Sequence, residues 1–243
     1  MEFLARYGDT IDVDHSGTNE PPFFTDVGPI VKSDWSNQMS DAREQGACSS
    51  SWAHAAINLA EVANGRKGYS PQSILDCSYS STCGHGSIYD SLSYIAQNGV
   101  SQLSTYPFTG YQGRCQHNAP TESLQKYTVG HTYNPDASSK DLYKYYKRCM
   151  KFARSLEFSP YNVMTYSWIF MQFAGHLIDH VETHDDTFHR VLLTVTMVGY
   201  DPETQEFKVK TPLGPKFGER GFVRMKWGAA AQLGLCDKAY WLL

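Results

Sequence analysis

Apolar positions in the first half of the chain recur at helical spacing. From Ser49 or Ser50 onward, Trp52, Ala55, Ala56, Leu59, Val62 and Ala63 fall on one helical face. Serine suits an N-cap, and Asn64-Gly65 supplies a stop. A second helix is predicted at Ser70-Pro71, with Pro at its first position and Gln72, Ile74 and Leu75 following. A third runs from about Ser87 to Gln97, with Ile88, Leu92 and Ile95 on one side and Asn98-Gly99 beyond it. Asp141 to Leu156 forms a further amphipathic helix. The pattern then changes to β-like runs at Tyr161 to Thr165, Val191 to Tyr200, Glu206 to Lys210 and Gly221 to Lys226. Asp201-Pro202-Glu203-Thr204 marks a hairpin turn between two of these runs.

Helices first and antiparallel strands later predict an α+β chain of two lobes, without internal repeats. The boundaries follow the breakers. Residues 1–29 are polar, punctuated by Pro21-Pro22 and Gly28-Pro29, and read as an N-terminal extension. Residues 30–125 form a mainly helical lobe and 126–243 a mainly β lobe.

Composition narrows the classes of function. With 41% hydrophobic residues in 243, a sizeable core is available. Twenty-one Lys and Arg against 25 Asp and Glu, with no basic stripe, argue against a nucleic-acid partner. No run of about 18 apolar residues occurs, so no transmembrane helix is predicted. The start lacks a basic segment followed by an apolar one, the pattern of a signal peptide. If Met1 is the native start, an intracellular location is expected, in cytoplasm or cytoskeleton. If a leader has been removed, the alternative is a secreted or lysosomal protein.

The stretch "QGACSSSWAH", Gln45 to His54, has the outline of a nucleophile site with serine where cysteine is expected. Other motifs stand with it in order: "SDWS" at 33–36, "YSPQSILDCS" at 69–78, "CGHG" at 83–86, "NGVSQLSTYPFTGYQGRC" at 98–115, "VGYD" at 198–201 and "GERGFVRM" at 218–225. On these motifs the chain resembles the papain-like cysteine peptidases over roughly residues 30–243. The resemblance implies a helical lobe facing an antiparallel β lobe across a cleft. It also implies two disulfides, Cys48 with Cys83 and Cys77 with Cys115, and a former cleft lined by Gly86, Trp52 and Leu213. Cys149 and Cys236 have no obvious family partner in this chain and are expected to be free. The cysteine spacing lacks the paired knuckles of a zinc cluster.

A cysteine peptidase needs a thiolate, a histidine to take its proton and a group that orients the histidine. Ser51 occupies the nucleophile position, and a hydroxyl cannot form the thiolate–imidazolium pair. His189 is the best candidate base, yet it lies ten residues before Gly199, where the family spacing is six; without a gap the position falls on Leu193. The family's asparagine and shielding tryptophan are replaced by Thr211 and Leu213. Gln45 is retained, either for an oxyanion hole or as a packed structural residue, the latter being favoured.

His176, His180, His184 and His189 cluster in sequence with Asp179, Asp185 and Asp186, but are expected in a solvated loop, so no metal or cofactor site is predicted. His54 is expected to be a packed helix residue. The basic, tyrosine-rich run at 144–155 reads as a solvated face, with docking of an acidic partner as the alternative. The expectation is a non-catalytic papain-fold protein that binds other proteins, for example within a cytoskeletal or other structural assembly. The alternatives are a serine-dependent hydrolase using Ser51 with His189, and a receptor that holds peptides in the old cleft.

Overall fold

The protein is described here from a computed structural model covering residues 18–65, 67–79, 81–133, 142–166, 177–178 and 192–243. The first half folds as its periodicity predicts. After strand β1 (Ser33–Asp34) and a 3-10 turn, helix α1 (Ser51–Asn64) begins. Its first eleven residues are all buried, because it lies between the lobes and meets protein on every side. Gly65 ends it at φ +61°, a left-handed conformation that glycine adopts without a side-chain penalty. Ser50 holds the N-cap position but makes no cap bond, since its ψ of 28° is not the extended geometry capping requires.

Helix α2 (Pro71–Cys77) is capped as expected, Ser70 Oγ accepting from the Gln72 N–H at 3.1 Å. Helix α3 (Ile88–Asn98) is capped by Ser87, which accepts from the Asp90 N–H at 3.2 Å. It buries Ile88, Leu92 and Ile95 against α1 and α2, forming one core with Trp52, Ile57, Ile74 and Leu75. Strands β2 (Val100–Ser101) and β3 (Thr121–Glu122) pair at the edge of this lobe.

The second lobe is a sheet with helices packed on it. Its strands are β4 (Val129–Tyr133), β5 (Tyr161–Tyr166), β6 (Leu177–Ile178), β7 (Leu192–Asp201), β8 (Glu206–Lys210), β9 (Phe222–Lys226) and β10 (Lys238–Leu242). They run in the order β4-β10-β5-β7-β8-β9-β6, with β1 added beside β7. Helices α4 (Leu142–Ser155) and α5 (Trp227–Gln232) complete the lobe. The predicted turn forms between β7 and β8, where Asp201 Oδ1 accepts from the Glu203 N–H at 2.9 Å. Strands β4 and β10 were not legible as strands, because they are short and their pairing partners lie more than a hundred residues apart in the chain.

Three findings alter the sequence reading. Cys149 and Cys236, expected to be free, are joined by a disulfide between α4 and the turn after α5, so no cysteine among the described residues is free. That bridge connects two elements of the β lobe that only tertiary folding brings together. The stretch before β1 is partly core: Phe24 is buried edge-on against Phe152 at 5.0 Å. Part of the basic face of α4 is engaged by this same stretch, while Lys144 and Lys147 remain exposed as expected. Arg148 and Lys151 pair with Glu20 and Asp26, and Arg154 donates to the carbonyls of Thr25 and Gly28.

Candidate functional site

Helix α1 presents Ser51 and Trp52 where the lobes meet, and its start is pinned from outside the helix. Cys48 is bridged to Cys83, and the Ser49 N–H donates to the Cys83 carbonyl at 2.9 Å. The second predicted bridge, Cys77 with Cys115, is also formed. Trp52 is fully buried, its Nε1 donating to the Ser49 carbonyl at 3.1 Å. Gly86 lies flat against the Trp52 ring, so that a Cβ there would overlap the indole. The requirement for glycine at 86 is therefore at least partly one of packing.

Ser51 is 3% exposed, and its hydroxyl accepts the backbone N–H of Thr194 in β7 at 3.0 Å. Strand alternation explains the contact. Leu193, Val195 and Met197 point into the β-lobe core, leaving Thr194 and Thr196 toward α1. Leu193 is the position the ungapped spacing gives for the histidine, and its side chain is fully buried in that core. His189 lies outside the described residues.

The orienting position has also changed allegiance. The Thr211 hydroxyl donates to the Gly221 carbonyl at 3.0 Å, a partner within its own lobe. Leu213 is half-buried and packs on the β-lobe core. Gln45 is fully buried, and neither its side-chain oxygen nor its nitrogen has a partner among the described residues. Its backbone N–H donates to the Pro212 carbonyl at 3.0 Å, tying this loop to the β lobe.

His54, one turn after Ser51, is a packed helix residue as expected. Its Nδ1 donates to the Ser50 carbonyl at 3.0 Å and its ring meets Phe108 edge-on. Burial holds its pKa down at about 4, with the positive charges of Arg43 and Lys210 acting in the same direction, so the imidazole is neutral near pH 7.

Sequence reasoning missed a polar network that joins the lobes. Lys210 Nζ donates to Asn58 Oδ1 at 2.7 Å and to the Ser40 carbonyl at 2.6 Å. Asn58 Nδ2 donates to Thr196 Oγ1 at 2.9 Å, and that hydroxyl donates to Asn162 Oδ1 at 2.8 Å. Glu61, fully buried, accepts from the Ser40 and Gly68 N–H groups at 2.7 and 2.9 Å. Burial lowers Lys210 to about 8 despite the nearby Glu61 carboxylate. The signal available in the sequence was Glu61 and Asn58 beside the apolar positions of helix α1. No cluster of metal-ligating side chains occurs among the described residues, and no described helix is long and apolar enough to cross a membrane.

With this geometry in view, the chain can be compared with known proteins. The family model described as "Papain family cysteine protease" matches residues 31–242. Fruit bromelain of Ananas comosus is 27% identical over 220 residues, an alignment covering 85% of this chain and 57% of that protein. Papain of Carica papaya is 26% identical over 217 residues, covering 84% and 56%. The chain thus spans less than three fifths of the length of these curated relatives. Among solved structures, digestive procathepsin L 3 of Tenebrio molitor matches with a TM-score of 0.73 at 22% identity, covering 99% of this chain and 76% of that one. The bromelain protease of Ananas comosus in complex with the E64 inhibitor gives 0.70 at 20%, covering 88% and 99%. These likenesses carry the α+β, two-lobed papain-like fold.

Proposed function

Because this chain belongs to the papain family of cysteine proteases, we propose that it is a member without catalysis, which acts by binding other proteins. The observation that carries this reading is the state of the Ser51 hydroxyl. It stands at the nucleophile position, is buried, and is engaged by the Thr194 N–H. A hydroxyl attacks a carbonyl only when a base removes its proton as the bond forms. The described imidazole nearest in sequence, His54, donates its Nδ1–H to the Ser50 carbonyl, and its Nε2 makes no hydrogen bond to Ser51 or to any other described residue. The Thr211 hydroxyl, at the orienting position, is turned to Gly221. The rest of the molecule keeps a scaffold that needs no chemistry: two cores joined by hydrogen bonds, with three disulfides.

The disulfides also bear on location. Six cysteines in three bridges suit an oxidising compartment and argue against a cytoskeletal assembly in the reducing cytosol. The proposed site of action is therefore secretory, extracellular or lysosomal, and the partner is a protein found there.

The test uses the oxidised protein with a fluorogenic peptide substrate. Hydrolysis no faster than in buffer alone is expected, unchanged in Ser51→Ala. Turnover that disappears in Ser51→Ala would establish the serine hydrolase instead. Saturable peptide binding without turnover would favour a receptor acting through the cleft. In extracts of the native source, a salt-resistant complex larger than the monomer is expected, and a free monomer would remove the binding role.

A further inference from the structure

The helical lobe carries a second concavity that shares no lining residue with the cleft. It is a pocket of about 180 Å³ between α2, α3 and the loop leading to β3, beside the Cys77–Cys115 bridge. That volume is below the roughly 300 Å³ at which drug-sized sites begin, and suits a single small ring.

Its walls are fixed before any ligand arrives. The disulfide ties the loop to α2. The Tyr106 hydroxyl donates to Asp76 Oδ2 at 2.8 Å and accepts from the Gln116 N–H at 3.3 Å. Across the pocket, Ser101 pairs with Thr121 between β2 and β3. Gly99, at φ +79°, closes onto the Glu122 carbonyl where a Cβ would not fit.

The chemistry of the lining is specific in what it lacks. Among the described residues, no Asp, Glu, Lys or Arg lines the pocket, and the lining imidazole, His117, sets its Nδ1 against the Cys115 sulfur at 3.6 Å. The nearby Asp76 carboxylate is occupied by Tyr106, Gln72 and the Gly113 N–H. A charged ligand would therefore lose its hydration without meeting a carboxylate, ammonium or guanidinium partner. The polar groups on offer are hydroxyls and amides, which both donate and accept. Among the described residues, the hydroxyls of Tyr94, Ser101 and Thr121 and the side-chain amide of Gln116 make no hydrogen bond, although Ser101 is only 1% exposed. The rings of Tyr94 and Tyr106 add apolar faces with polar edges.

From a lining without carboxylate, ammonium or guanidinium groups, unspent hydroxyls and an unspent amide, flanking tyrosine rings and single-ring size, we propose that this pocket binds one neutral pyranose unit, either a free sugar or the end residue of a glycan. Neutral hexopyranoses present hydroxyls around their rim and C–H groups on their faces, which matches this lining.

The experiment is ligand-observed saturation-transfer NMR on the whole oxidised chain. The probes are methyl glucoside, methyl mannoside, methyl galactoside and N-acetylglucosamine, with glucuronate and glucosamine as charged counterparts. At least one neutral sugar is expected to saturate with a Kd in the roughly 1–10 mM range, about tenfold tighter than the charged ones. Gln116→Ala, at an exposed lining residue whose side-chain amide makes no hydrogen bond among the described residues, is expected to weaken binding severalfold with an unchanged melting temperature. Ala119→Phe is expected to fill the pocket and abolish binding. A longer oligosaccharide ending in the same sugar, binding more tightly than the methyl glycoside, would assign the site to glycan ends; equal affinity would assign it to free sugars. The proposal is overturned if no neutral sugar saturates by about 50 mM, if charged sugars bind as well, or if both variants bind like the parent. Should Ala119→Phe fail to fold, Gln116→Ala decides alone.

Discussion

On the helical side of the cleft, Trp52 is fully buried against Gly86, and the Cys48–Cys83 bridge pins the start of α1. On the sheet side, Thr211 donates to its own lobe, Leu213 packs on its own core, and Leu193 is buried where a histidine was sought. The helical wall retains residues whose role is packing and covalent bracing. The sheet wall retains its strands but carries side chains that serve the β-lobe interior. A buried indole against a glycine has few substitutes, whereas side chains that pack on or bond within their own lobe, as Thr211, Leu213 and Leu193 do, can be exchanged for others of similar volume at smaller cost.

The largest test of this contrast is Trp52→Ala. Removing a fully buried indole leaves a cavity beside Gly86 and is expected to cost about 3–5 kcal/mol, read as a lower denaturant midpoint. A loss below about 1 kcal/mol would mean that the helical wall is no more constrained than the sheet wall.

Next in size is the pH response. His54 has a folded pKa of about 4, below its ordinary 6.5, because burial disfavours the imidazolium. Between those values the unfolded chain binds more protons than the folded one, so stability is full above pH 6.5 and falls as pH drops toward 4. The expected loss is about 3 kcal/mol relative to the slope in His54→Gln, measured by unfolding at a series of pH values. Equal slopes in the two proteins would show that His54 is not held neutral by the fold.

Smaller effects are expected where the walls meet and on the sheet side alone. Ser51→Ala removes the acceptor of the Thr194 N–H and is expected to cost about 1 kcal/mol. A stabilising effect would place the hydroxyl under strain, kept for something other than folding. Leu213→Ala, at a half-buried position, is expected to cost about 1 kcal/mol or less by the same denaturant assay. A cost equal to that of Trp52→Ala would erase the asymmetry between the walls.

By itself the sequence determined the local elements and the family scaffold. Serine caps before α2 and α3, glycine stops and the apolar spacing of Ile88, Leu92 and Ile95 are short-range signals that a linear reading captures. Two cysteine pairs and the positions of Gln45, Ser51 and Thr211 followed from motif order. Tertiary structure decided what depends on residues far apart in the chain. It joined Cys149 to Cys236, turned Arg148, Lys151 and Arg154 onto the stretch before β1, and paired β4 with β10. It also brought the Thr194 N–H to Ser51 across 143 positions of sequence. Helix caps and periodicity act within a few residues, whereas these contacts depend on how the lobes close, which no local pattern encodes.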